Sequence, residues 1–244
     1  MQCVILAGGL GTRMRPFTER IPKAMIEVAG YPFAHHQLSL LARQGIQRVV
    51  YCIGYRGTML RDYVGDGGHY GLAVHYVDEG DRLRGTAGAI RFALDTGCLD
   101  QGFLVLYGDS YLPINASKVW RASDQGRRPV MTILRNNGQW DRSNVRYCDG
   151  RPLYYNKGIS DPSEAGMHYI DYGLSVLTQS SILDNVPSDC VVDLADVFHS
   201  LSVAGELTGF PVSQRFYECG SLAGLRDMEE YLLAERAGIW SSTE

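Results

Sequence analysis

Apolar runs of strand length alternate with stretches of helical period over the first 115 residues. Residues 2–7 (QCVILA) are apolar without alternation, the pattern of a parallel strand buried on both faces. RVVYCIG (48–54), AVHYVDE (73–79) and FLVLYGD (103–109) read as three further strands, the last ending in an acid. Between them lie a helix around His36–Gln44 with Leu38 and Leu41 on one face, a short helix near Thr58–Val64, and a helix over 86–96 that starts at Thr86. Alternation of this kind implies right-handed crossovers and a mostly parallel sheet covered by helices on both faces.

Beyond Asn115 the pattern loosens. PVMTILRN (129–136), NVRYCDG (144–150), PLYYNKG (152–158) and HYIDYGLSVLT (168–178) read as strands joined by turns, more antiparallel in character. DLADVFHSLSVAG (193–205) and SLAGLRDMEEYLLAERAG (221–238) carry helical periods. No repeat, low-complexity tract or linker interrupts the chain. The expectation is one α/β domain over 1–244, with a Rossmann-like half to about residue 115 and a smaller antiparallel part from about 116.

Composition narrows the partners. The net charge of −4 argues against broad binding to nucleic acid or anionic membranes, which need a basic surface. Six cysteines are scattered without a CxxC pair or zinc spacing. VILA is too short for a signal core, and no apolar run approaches the roughly 20 residues that span a bilayer. These features point to the cytoplasm and to small-molecule partners, with no nucleic acid and no membrane; a homodimer stays open.

Candidate chemistry begins where the first strand ends, at Leu6 and Ala7, in LAGGLGTRMRP. A phosphate loop of the GxxxxGK[ST] type is excluded because no lysine follows at that spacing, and GxGxxG fails because Met14 holds the third glycine's place. What remains is a run of main-chain amides at Gly8, Gly9, Gly11 and Thr12, where a side chain would block a phosphate. Arg13 adds a forked donor suited to phosphate oxygens, Pro16 fixes the exit, and Pro22-Lys23 brings a second cation. The alternative is a sharp loop with solvated charges.

Gly8, Gly9, Gly11, Thr12, Arg13, Pro16, Thr18, Pro22 and Lys23 together form GGxGTRxxPxT, a short gap and PK. This pattern closely resembles the signature of the sugar-1-phosphate nucleotidyltransferases, and the resemblance extends to about residue 235. It implies a nucleoside triphosphate whose α-phosphorus is attacked by a sugar 1-phosphate, with Arg13 and Lys23 as the catalytic cations. RGTAGAI (84–90) resembles the segment that packs a helix start against base and ribose, through Gly85, Thr86 and Gly88, with Thr86 able to cap the helix. Leu83-Arg84 stand where the family usually has Pro-Leu. Asp109 of LYGDS resembles the aspartate that holds Mg²⁺, and Glu218 in RFYECGS takes the place of a second metal-binding acid. Lys157 resembles the cation for the incoming phosphate, while Asp171, Gly173 and Asn144 are candidates for the sugar. Asp193 and Asp196 near a helix start are read as structural. No left-handed β-helix follows, so acetyl transfer is not expected.

Within the family, the resemblance is to short heptose-1-phosphate or mannose-1-phosphate guanylyltransferases, with uridylyltransferases close behind. Glu79 could accept two hydrogen bonds from guanine, which uracil cannot offer, or simply be solvated. The expectation is GTP, with UTP as the alternative. A glycosyltransferase is a further alternative, but Asp109-Ser110-Tyr111 lacks the second acid of a DxD site.

Overall fold

Four parallel strands build the centre of the sheet: β1 (Gln2–Ala7), β2 (Arg48–Ile53), β3 (Ala73–Asp78) and β4 (Gly102–Tyr107), in the order β3-β2-β1-β4. The computed structural model describes residues 1–136, 138–148 and 153–238. Successive side chains of a strand point to opposite faces, and here both faces are covered. Cys3, Ile5, Tyr51 and Leu104 pack into one core with Leu38 and Leu41 of α1 (Phe33–Arg43) and Leu60 of α2 (Gly57–Val64). Val4, Val50, Cys52 and Phe103 enter the other, with Ile90 and Ala93 of α3 (Gly85–Asp95). Two-sided burial is why β1, β2 and β4 read as apolar runs, whereas β3 at the sheet edge leaves Ala73, His75 and Asp78 exposed. Asp109, expected at the end of the fourth strand, lies two residues past β4, because the chain turns at Gly108, whose amide donates to the Leu6 carbonyl at 2.9 Å.

The later strands are β5 (Val130–Arg135), β6 (Val145–Arg146), β7 (Tyr154–Tyr155), β8 (Tyr169–Thr178) and β9 (Thr208–Val212). β8 pairs antiparallel with β4, from Leu174↔Leu106 to Thr178↔Gly102, so the antiparallel part continues the parallel sheet without a break. On its other side β8 pairs antiparallel with β5 and touches β6, which carries β7 at the edge. Of the expected strands over 144–150 and 152–158, only β6 and β7 form; Asp149, Gly150 and Pro152 lie outside the described residues. β9 is unforeseen and runs parallel to β5, its sole partner among the described residues, despite Pro211 within it. Proline, with no N–H to give a ladder, is tolerated in such an edge strand.

The remaining helices are α4 (Ala116–Ala122), α5 (Gln179–Leu183), α6 (Leu194–Val203) and α7 (Leu222–Arg236). The short α4 and α5 were not anticipated, although Asn115 and Thr178 cap them with their side chains. Asp193 caps α6 by accepting from the Ala195 amide at 2.9 Å, and so is structural as expected. Among the described residues, no helix is long and apolar enough to cross a membrane.

Thr86 corrects the reading of α3. The helix begins at Gly85 with no side-chain cap of its own. Thr86 Oγ1 instead accepts from the Leu194 amide at 2.7 Å and donates to Asp193 Oδ1 at 3.2 Å, serving the start of α6. The amides of Ala87 and Gly88 donate to the Val192 carbonyl, so a main-chain oxygen closes the N-terminus of α3. Thr86→Ala should therefore cost about 1 kcal/mol, the usual value of a lost cap, and lower the melting temperature by about 2–4 °C. Thermal unfolding followed by circular dichroism checks this.

Candidate active site

In an open parallel sheet, ligands bind outside the carboxyl ends of the strands where the strand order reverses. That reversal falls between β1 and β4, and the chain leaves the four parallel strands there through Gly8, Gly54, Glu79 and Gly108-Asp109. A cavity of about 250 Å³ opens at this edge. Leu6, Ala7, Gly8, Gly9, Gly11, Lys23, Glu79, Gly85, Thr86 and Asp109, ten of the residues singled out from sequence, line it.

The glycine loop meets two different demands. Gly11 has φ +62°, and a Cβ there would lie 2.9 Å from Thr18 Cγ2, so the fold itself requires glycine; a Cβ on Gly8 would lie 2.7 Å from Glu79 Oε2 and would displace that carboxylate. At Gly9 a Cβ would meet no atom within 4 Å apart from its chain neighbours, so this position opens onto free space at the cavity. The loop is anchored from below by buried Met14 and by the Thr18 hydroxyl, which donates to the Gly11 carbonyl at 2.8 Å. Thr12 and Arg13 sit on the short turn that follows, exposed and beside the cavity rather than lining it. Arg13 forms no ion pair with the described residues, yet its charge lowers the affinity of Glu218 for a proton, so the two groups are near one another.

Lys23 Nζ lies 2.7 Å from Asp109 Oδ2, joining the second cation to the turn after β4. Glu218 reaches the same place through a two-residue ladder in which Tyr217–Glu218 pairs with Ser110–Tyr111, and the Cys219 amide donates to the Asp109 carbonyl at 2.9 Å. Burial raises the Glu218 carboxyl above its ordinary range, and the Asp109 charge raises it further against the pull of Arg13 and Lys23. Two neighbouring carboxylates offer hard oxygen donors that a divalent cation would relieve of mutual repulsion. The described residues hold no group of three or more His, Cys, Asp or Glu placed for a metal, so a cation here would share its sphere with substrate oxygens and water.

The far wall belongs to Glu79, 8% exposed, whose Oε1 accepts from the Arg84 amide at 2.9 Å. Burial raises its carboxyl, and that hydrogen bond with the Arg84 charge opposes the rise. Leu83 lines the cavity, whereas Arg84 stacks on Phe92 with its guanidinium 4.2 Å from the ring centre. Gly88 faces away from the cavity: a Cβ there would lie 2.5 Å from the Cys190 carbonyl, so its smallness serves packing against the 190–192 segment. Gly108 lines the cavity beside Asp109, and Cys52, Ala24, Ala89 and Tyr107 complete the lining and were not foreseen. Their only signal was position: Cys52 and Tyr107 at the carboxyl ends of strands, Ala89 on α3, and Ala24 beside Lys23 in the turn Lys23–Met25.

Lys157, Asp171, Gly173 and Asn144 gather on the antiparallel side, outside the lining of this cavity. Asn144 is buried, and its Oδ1 accepts from the Asp171 amide at 2.9 Å. Gly173, at φ +107°, makes the bulge where β8 shifts register against β5, and its amide donates to Asp171 Oδ1 at 3.0 Å. Burial pushes the Asp171 carboxyl up to about 6, against that hydrogen bond and the charge of exposed Lys157. The folded chain therefore holds this proton more tightly than the unfolded chain, which releases it near 3.8. Its contribution to stability is full below about pH 4 and is lost as pH rises through about 6. Wild type should lose stability relative to Asp171→Asn across that window; parallel melting-temperature curves would contradict this.

Residues 2–138, more than half of the chain, match the family model for nucleotidyl transferases, and the protein belongs to that family. It is 32% identical over 142 residues to a D-glycero-alpha-D-manno-heptose 1-phosphate guanylyltransferase of Aneurinibacillus thermoaerophilus, covering 58% of this chain and 60% of that one. It is 42% identical over 90 residues to a mannose-1-phosphate guanylyltransferase of Mycobacterium tuberculosis, covering 37% of this chain and 25% of that protein. Further relatives are named thymidylyl-, uridylyl- and cytidylyltransferases for glucose 1-phosphate. The chain spans between 25% and 60% of the length of the guanylyltransferase relatives just described. Among solved structures, HddC from Yersinia pseudotuberculosis superposes with a TM-score of 0.77 at 23% identity, over 95% of this chain and 99% of that one, which shows the shared fold. Members of the family generally use divalent metal ions.

Proposed function

We propose that the protein transfers a nucleoside monophosphate from GTP to a heptose or hexose 1-phosphate, releasing pyrophosphate. The observation that carries this reading is the meeting of Lys23 and Asp109, 2.7 Å apart, on the lining of a cavity that the Gly8–Gly11 loop also lines. The amides of Gly9, Gly11 and Thr12 donate to no acceptor among the described residues, which leaves them for phosphate oxygens. Residues up to about 115 would hold the triphosphate and those from about 116 the acceptor.

In this mechanism an oxygen of the sugar phosphate attacks the α-phosphorus in line. The bond from that phosphorus to the bridging oxygen of the β-phosphate breaks, and pyrophosphate leaves with the electron pair. No general base is needed, since the attacking phosphate is ionised at neutral pH. Lys23 and Arg13 bind the phosphate oxygens and meet the charge that grows on them, and the loop amides fix their geometry. Asp109 and Glu218 would hold Mg²⁺, which supplies neutralising charge to the phosphates when bound. Lys157 draws in the acceptor phosphate, while Asp171 and the Asn144 amide nitrogen face its hydroxyl groups. Glu79 accepts from guanine N1–H and its amino group, a reading supported by the guanylyltransferases among the relatives.

Pyrophosphate release from ATP, CTP, GTP, UTP and dTTP, each against glucose, mannose and heptose 1-phosphates, tests the proposal. Release with GTP and a mannose or heptose 1-phosphate is expected. Release with UTP alone would assign a uridylyltransferase, and release with no pair would remove the transfer reading. Glu79→Gln should lower the preference for GTP over UTP by about tenfold, measured as the ratio of kcat/KM values.

A further inference from the structure

Gln37 lies on the face of α1 that packs against the sheet, between Ala34 and Leu41, and is 1% exposed. A carboxamide on that face needs partners, because an unpaired polar group costs free energy when buried. Its Nε2 donates both protons: one to the Tyr107 carbonyl at 2.9 Å, the other to the Ser110 carbonyl at 2.8 Å. Its Oε1 has no hydrogen-bond partner among the described residues. The side chain is thus held by its two donors alone, and the acceptors flank Gly108-Asp109 on either side.

We infer that Gln37 is a positioning residue that fixes the Asp109 turn for the transfer reaction; this rests on the reading of Asp109 as a cation-binding group. Other bonds hold the same turn: from the Gly108 amide to Leu6, from the Cys219 amide to the Asp109 carbonyl, and from the Lys23 ammonium to Asp109 Oδ2. The Gly108 bond fixes the planar peptide unit that carries the Tyr107 carbonyl, and the ladder holds Ser110–Tyr111 against Tyr217–Glu218; Gln37 adds the tie between the two sides of the turn. The requirement is for two neutral donors on one atom at glutamine's reach. Asparagine is one carbon short, and lysine or arginine would bury a charge. Groups that orient metal-binding residues in this way typically account for 10- to 100-fold in metal affinity or activity.

Gln37→Met keeps length and packing but removes both donors. In the full-length protein it should weaken Mn²⁺ binding, read from the free-ion signal by electron paramagnetic resonance, by about tenfold or more. The Mn²⁺ concentration for half-maximal pyrophosphate release should rise in parallel, with KM for the sugar 1-phosphate changed less than about threefold. Gln37→Glu, protonated in its buried site, keeps one donor and should bind Mn²⁺ with intermediate strength. Mn²⁺ binding within about twofold of wild type in folded Gln37→Met would overturn the proposal. Should neither variant fold, the side-chain NH₂ resonances of Gln37 in wild type decide it: they should move when diamagnetic Mg²⁺ is added, and fixed resonances would overturn it. Asp109→Asn separates the two readings. If it binds Mn²⁺ as wild type does, the cation reading fails; if it loses Mn²⁺ while Gln37→Met retains it, only the positioning role fails.

Discussion

Lys23→Ala is expected to lower pyrophosphate release by about 10²–10³ while leaving the fold intact. The Lys23 side chain is 16% exposed and lines the same cavity as the glycine loop that would hold the triphosphate. Charge moves onto the bridging oxygen and the departing pyrophosphate as the bond breaks. A cation fixed beforehand is worth most at that moment, about 3–4 kcal/mol when removed from a preorganised site. The stability cost is smaller, because Asp109, 25% exposed, can exchange its lost partner for water. The loss should therefore sit in kcat, with KM for the nucleotide moved far less. Lys23→Arg restores the charge but not its compact shape, and should remain at least about tenfold below wild type. Steady-state kinetics on both variants, with melting curves as controls, makes the check.

Asp109→Asn should be comparably damaging for a different reason. The amide is nearly the same size, and its oxygen can still accept from Lys23, so the 2.7 Å contact has a neutral replacement and the turn keeps its shape. What disappears is the negative charge that a divalent cation requires. Activity should fall by about 10²–10³, and raising Mg²⁺ should not restore it. A second consequence follows at Glu218. The Asp109 charge raises the Glu218 carboxyl, so its removal should bring that titration back toward the ordinary glutamate range. Carboxyl carbon shifts followed by NMR against pH would show it; an unmoved Glu218 would mean that the two acids do not share one site.

The strands and the turn chemistry were legible because they are local. Apolar runs at 2–7, 48–54 and 103–109 reflect burial on both faces, and Gly11 is dictated by its positive φ and by Thr18, seven residues on. What stayed hidden depends on partners distant in sequence. Thr86 was read against its own helix, yet its hydroxyl serves α6, 108 residues away. Gly88 answers the Cys190 carbonyl, which no spacing near 84–90 could announce. Glu218 comes within the influence of Asp109 only because of the two-residue ladder with Ser110–Tyr111. Pro211 masked β9, since its compatibility with a strand depends on which edge faces the partner. Gln37 did leave a trace, a polar residue inside the apolar face of α1, but its two acceptors are 70 and 73 residues away.

The central claim is that this cavity directs bond breaking to the α-phosphorus, and the fate of label from GTP tests it most directly. Wild-type protein is incubated with Mg²⁺, the preferred sugar 1-phosphate and GTP labelled at either the α- or the γ-phosphorus, and the products are separated. The α-label should pass into a nucleotide sugar in step with the appearance of the γ-label in pyrophosphate. Appearance of the γ-label in inorganic phosphate or on the sugar, or retention of the α-label in free nucleotide, would contradict the account.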